Sequence, residues 1–162
     1  MAKHILHNDS NFFDFVLIGI SSSENQYVIT NNINHTLNIS LSLDQTLKFN
    51  LKKHDLFEFS LFYYLDEELG LEYYLVANKS NFKTNKNQTS NYDLFAESKE
   101  KIEESALLIH ELPYTDYFLL LKGENAIHEQ YNVFKLLKTI ACINKVHEVI
   151  PEKLQSKNNL IF

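Results

Sequence analysis

The sequence predicts one α+β domain, a mainly antiparallel β-sheet with two helices packed on one face. Three observations predict it. Seven short stretches carry strand-like apolar patterning, but only two carry the 3.6-residue period of a helix. Helices are therefore too few for a doubly wound parallel sheet, and strands too many for a bundle. The 162 residues are 44% apolar and 22% charged, the composition of one globular domain spanning 1–162. A chain of this length buries about 70% of the surface it exposes unfolded, so a core needs no metal or disulfide to hold it.

The first strand lies in "NFFDFVLIGISS". Phe13, Phe15, Leu17 and Gly19 alternate with Asp14, Val16 and Ile18, and from Val16 onward both faces are apolar, as a central strand requires. "SSENQYVITNNINHTL" reads as a helix. Ser23 caps it with Gln26 at the capping-box spacing, and Ile29, Ile33 and Leu37 form one stripe. Its asparagines are poor helix formers, so this helix depends on packing. "TLKFNLK" sets Leu47, Phe49 and Leu51 on one face and Lys48, Asn50 and Lys52 on the other, a half-exposed strand.

Residues 55–77 read as a β-hairpin turning at 66–70, where Gly70 supplies the left-handed residue. Its arms carry Tyr63, Tyr64, Tyr73 and Tyr74, spaced to pair across the strands. Both faces are largely apolar, which leaves the register open and demands a cover on each face, a helix layer or another chain.

From about 78 to 92 the chain is polar and aperiodic, a surface loop. "ALLIHELPYTDYFLLLKG" then reads as two strands joined at Pro113, Tyr114 and Thr115. "ENAIHEQYNVFKLLKTIACI" is the second helix, with Ile127, Tyr131, Phe134, Leu137 and Ala141 as its buried stripe. "KVHEVI" is a last strand, stopped by Pro151. Residues 13–47 and 116–150 each run strand–helix–strand, the pattern of a duplicated ferredoxin-like arrangement.

Composition narrows function. All 15 basic residues are lysine, and the net charge is −6. Without the bidentate fork of arginine, and repelled by polyanions, the chain is not expected to bind nucleic acid. Its three glycines lie far apart, so neither a phosphate loop nor a dinucleotide fingerprint is present. The single cysteine, Cys142, has no internal disulfide partner. Residues 1–10 lack a signal-peptide pattern, and no apolar run approaches the roughly 18 residues of a membrane span. The expected location is cytoplasmic.

The reactive side chains form no recognisable catalytic set. His4, His7 and Asp9, even with His35 or His54, do not have the spacing of a metal-ligand motif, so no metal is expected. His110 beside Glu111, and His147 beside Glu148, are adjacent in strands and so point to opposite faces; they read as outward polar positions. Cys142 reads as a buried structural thiol, and the acidic turn Asp66, Glu67 and Glu68 as solvated charge. No cofactor is expected.

"VIPEK", Val149 to Lys153, resembles the signature of the IPExxVD family of small Bacteroidota proteins. Ile150, Pro151 and Glu152 match its first three positions, while Gln155 and Ser156 stand where Val and Asp would be. "AKHILHND", "DFVLIGISSSENQYVITNNINHTLNISL" and "SKNNLIF" resemble that family too, so the likeness runs the length of the chain and is weakest in the middle. The resemblance implies no activity. Pro151 redirects the chain after the last strand, Glu152 follows as a polar anchor, and Leu160, Ile161 and Phe162 are expected to pack back on the sheet behind the polar spacer 155–159.

These readings together predict a non-catalytic protein–protein interaction or regulatory module. Its partner is another protein or a second copy, with the hairpin tyrosines as anchors. A small-ligand-binding domain of the ACT-like kind is the alternative, and an RNA-associated factor ranks last.

Overall fold

A computed structural model describes residues 15–52, 55–80 and 105–162. The chain builds β1 (Phe15–Ser21), α1 (Gln26–Leu37), β2 (Ser42–Lys52), β3 (Asp55–Asp66), β4 (Leu71–Ala77), β5 (Tyr117–Lys122), α2 (Ala126–Leu137) and β6 (Lys145–Val149). Two 3-10 turns follow, Pro151–Lys153 and Lys157–Leu160. The fold is α+β, as the patterning predicts. Six strands form one sheet in the order β2-β3-β4-β5-β1-β6, each neighbour antiparallel to the next.

That order explains the paired strand–helix–strand segments. β5 and β6 flank β1 and run parallel to each other, so β5–α2–β6 is a split βαβ unit enclosing β1. Leaving out β3 and β4 gives β2-β5-β1-β6, the interleaved order of a ferredoxin-like sheet. The β3–β4 hairpin is then an insertion that widens the sheet between β2 and β5.

Strand alternation sorts the apolar residues into two cores. Ile18, Ile20, Leu75, Leu119 and Leu121 face the helices and pack with Ile29, Ile33, Val133 and Leu137. Leu17, Phe59, Val76, Phe118 and Leu120 face the other way and pack with Leu108, Ile109, Leu154 and Leu160. This is why "YFLLL" in β5 is apolar without interruption: each residue faces a covered side.

α1 begins two residues later than expected. Its N-cap is Asn25, not Ser23, and the Asn25 carboxamide oxygen accepts from the N–H groups of Tyr27 (3.0 Å) and Val28 (3.1 Å). Ser22, one residue before the expected cap, is tied to distant parts of the chain, donating from its N–H to Asp116 and from its hydroxyl to the Cys142 carbonyl. At the other end Asn38 takes the left-handed conformation (φ 55°) and closes the helix. Asn34 brackets Leu41 through both carboxamide atoms, at 2.8 and 2.9 Å. The asparagines that weaken this helix internally thus secure its exit.

The stretch from Ala106 to Leu112 is not a strand. It makes one isolated bridge, Lys79 to Leu107, and then turns. Asn78 is the cause. Far from opening a surface loop, it is fully buried. Its backbone N–H donates to the Asp116 carbonyl and its own carbonyl accepts from Leu108, both at 2.8 Å. Its side-chain oxygen accepts from the Ile109 N–H (2.8 Å), and its side-chain nitrogen donates to the carbonyls of Leu112 (3.0 Å) and Thr115 (2.8 Å). One carboxamide thereby satisfies backbone groups that a strand ladder would otherwise have to satisfy. The remainder of the polar stretch, from residue 81, lies outside the described residues.

Candidate interaction surface

The hairpin tyrosines pair as expected, Tyr63 with Tyr74 and Tyr64 with Tyr73, with ring centroids 4.9 and 6.2 Å apart. Tyr64 and Tyr73 lie on the helix side. Tyr73 is only 4% exposed, and burial, reinforced by Asp66 and Glu129, pushes its hydroxyl up to about 12. Tyr63 and Tyr74 lie on the other side. The Tyr74 hydroxyl donates to Glu72, and burial together with that bond holds it well above an ordinary tyrosine. Its ring centroid stands 5.7 Å from that of Phe162. The two covers this hairpin demands come from the chain itself, α1 and α2 on one side and residues 106–112 with the C-terminal tail on the other.

The tail packs, with one correction. Leu160 is buried and Phe162 is packed against the second core, but Ile161 is 48% exposed. In the preceding motif, Pro151 is buried and opens a 3-10 turn, its fixed φ starting the change of direction, while Ile150 and Glu152 are exposed.

The spacer ahead of the tail is tied down. Glu111 accepts through one carboxylate oxygen from the N–H groups of Gln155 and Ser156, and through the other from the Ser156 hydroxyl at 2.8 Å. Asn159 donates to the Leu108 carbonyl at 2.8 Å. Burial raises the Glu111 pKa, but the hydrogen bonds from Ser156, Gln155 and its own backbone outweigh it, leaving the carboxyl below its usual range. His110 and Glu111 are therefore not opposed strand positions. Both sit in a turn and converge on Ser156, whose hydroxyl is 2.6 Å from His110 Nδ1. A serine–histidine–acid relay needs the hydroxyl and the carboxylate at different ring nitrogens. Here both approach Nδ1, the carboxylate at 3.4 Å, so the cluster latches the tail rather than activating a nucleophile.

His147 is another departure from the outward reading. It lies across Gly19, where an added Cβ would come within 2.4 Å of the imidazole. Its Nε2 is 3.3 Å from the Thr115 hydroxyl, and its buried Nδ1 has no hydrogen-bond partner among the described residues. Burial, helped by Lys145, lowers its pKa. Among the described residues no three His, Cys, Asp or Glu side chains gather as a metal site; His4, His7, Asp9 and His54 lie outside those residues. Cys142 is half-buried against the helix-side core.

A polar pocket of about 370 Å³ opens where the β1–α1 connection meets the upper ends of β4 and β5. Two of its charged groups pair with each other. Lys79 pairs with Asp116 at 2.7 Å, Asp116 accepts from the Ser22 N–H at 2.9 Å, and the Tyr117 hydroxyl donates to the Glu24 carbonyl at 2.6 Å.

The outer flank of α2 differs from all of these. The helix buries Ala126, Val133 and Leu137, not the expected line through Ile127 and Tyr131. Ile127 is 72% and Tyr131 78% exposed, while Phe134 is partly buried with Lys138 Nζ 4.3 Å above its ring. The two candidate stripes are rotated by about one residue, 100°, so periodicity alone does not choose between them. The start of the helix chooses. Gly123, at φ 134°, lies so close to the Gly70 carbonyl that a Cβ would meet it at 2.4 Å, and Asn125 donates to the Leu69 carbonyl at 2.8 Å. These contacts set the rotation that turns Ala126 inward and Ile127 outward.

No family model, curated protein or solved structure matches this chain. Among the described residues no helix is long and apolar enough to cross a membrane.

Proposed function

We propose that this protein is a non-catalytic interaction module, working in the cytoplasm, whose partner-facing surface is the outer flank of α2. One observation carries the reading. Ile127 and Tyr131 stand one helical turn apart and are mostly exposed, although the chain covers both faces of its own sheet. Each such side chain gains roughly 1.5–3 kcal/mol when fully buried, and tyrosine is among the residues that most often anchor interfaces. Of the hairpin tyrosines Tyr73 is buried inside the domain, which leaves it unavailable as an anchor.

The test is affinity capture from a native extract with the wild-type chain and an Ile127→Glu/Tyr131→Glu variant, after confirming that both melt alike. Proteins captured by the wild type and lost with the variant support the reading. Identical capture by both overturns it.

A second reading, a small-ligand regulatory module, draws support from the 370 Å³ polar pocket, within the range of small-molecule sites. Reproducible thermal stabilisation by one metabolite, abolished by Lys79→Ala, would move the assignment there.

A further inference from the structure

We infer that the occupant of the α2 flank is a second copy of this chain, its α2 packed antiparallel against the first across a two-fold axis. The inference rests on the reading of α2 as the interaction surface and names its partner.

The flank is complementary to itself. Ile127, Tyr131, Phe134 and Lys138 follow one another at intervals of four, three and four residues, the spacing of a helix-pairing seam. Ile127, Tyr131 and Lys138 are exposed, and Phe134, packed in part against the helix-side core, forms the edge between them and the buried Ala126, Val133 and Leu137. A two-fold axis between Tyr131 and Phe134 sets Tyr131 of each copy against Phe134 of the other. It sets Ile127 against the aliphatic stem of Lys138, whose ammonium already lies over the Phe134 ring.

Charge selects the direction. The last turns of α2 carry Lys135 and Lys138, and exposed Glu124 stands just ahead of its first turn. Antiparallel pairing brings the lysine end of one helix beside Glu124 of the other. It also separates the two Lys138 side chains along the axis by about 11 residues of rise, roughly 16 Å. Parallel pairing would stack Lys138 on Lys138. Two-fold pairing also closes on itself, leaving no surface to propagate an assembly.

A seam of three helical turns is small, below the roughly 1,200 Å² of stable interfaces, so the dimer is weak and concentration-dependent. Sedimentation of the full chain from about 1 μM to about 1 mM is expected to show the mass rising from 19.0 kDa towards twice that value. Tyr131→Glu should abolish the rise. Lys138→Glu and Glu124→Lys should each weaken association about tenfold, and the two together should restore it.

A strict monomer whose Tyr131→Glu variant still loses captured proteins overturns the second copy and leaves the interaction surface standing. A dimer indifferent to Tyr131→Glu uses another face and overturns the inference. A monomer that captures nothing, and melts several degrees lower as Tyr131→Glu, has this flank covered by its own chain, which overturns both readings.

Discussion

The two faces of this sheet are covered by opposite means. On one side α1 and α2 lie across the strands, satisfy their own backbone hydrogen bonds, and contribute apolar side chains at helical spacing. On the other, residues 106–112 and the C-terminal tail have no ladder of their own. Side chains do that work: those of Asn78 and Glu111 accept from three backbone N–H groups between them, while those of Asn78 and Asn159 donate to the carbonyls of Leu112, Thr115 and Leu108. The comparison teaches where each face is fragile. A helical cover loses stability through lost apolar area, an irregular one through a single polar side chain.

Asn78→Ala should have the largest effect. It strands the Ile109 N–H and the Leu112 and Thr115 carbonyls in or near the core, and each unsatisfied group costs about 1–3 kcal/mol. Urea unfolding should show a loss of about 3–5 kcal/mol; a loss under 1 kcal/mol would mean that the irregular cover does not depend on this residue.

Removing residues 160–162 comes next. Only Leu160 is fully buried and Phe162 partly so, hence the expected loss is about 2–4 kcal/mol, with a clear drop in melting temperature. A truncated chain melting within a degree of the full chain would show that the tail adds nothing to this face.

The covers should also differ in acid, since among the described residues the two groups whose pKa values fall on folding, His147 through burial and Glu111 through hydrogen bonding, lie on the irregular side. Folded His147 holds a proton less readily than the free imidazole, so unfolding takes one up and acid favours it. Stability should therefore fall as pH drops through 6.5. The Glu111 contribution is present above 4.5 and is lost as pH falls below that value towards its lower folded pKa. Denaturant midpoints measured from pH 8 to 3 check both steps, and His147→Phe should remove the first alone.

The smallest effect is expected on the outer surface. Tyr131→Glu should change the stability of the monomer by no more than about 0.5 kcal/mol, because the side chain it replaces is 78% exposed. A larger loss would place this flank among the covered ones.

Much of the helix-side architecture was legible in the sequence. The doubly apolar run of β1 marked an interior strand, Ile29 and Ile33 marked the buried side of α1, and Gly70 with the facing tyrosine pairs marked the hairpin. The opposite face was not. "ALLIHEL" alternates as a strand does, yet the buried Asn78 side chain draws it into turns, and no local pattern distinguishes that asparagine from the polar run beside it. The candidate surface shows the same division. The stripe Ile127, Tyr131 and Phe134 was visible as a stripe, but the outward direction of Ile127 and Tyr131 was not.

By itself the sequence determined the strands and helices, because their periods follow from covalent geometry and solvent-averse side chains along a few successive residues. It also showed two strand–helix–strand segments, but the order that interleaves their strands in one sheet belongs to the tertiary structure. Tertiary structure decided which of two adjacent stripes α2 buries, whether 106–112 pairs or turns, and that His110 and Glu111 meet at Ser156. Each of those choices depends on a contact between residues far apart in the chain, Gly123 with Gly70, Asn78 with Ile109, and Glu111 with Ser156. Local alternatives that are nearly equal in energy are separated only by such contacts, and a linear pattern does not contain them.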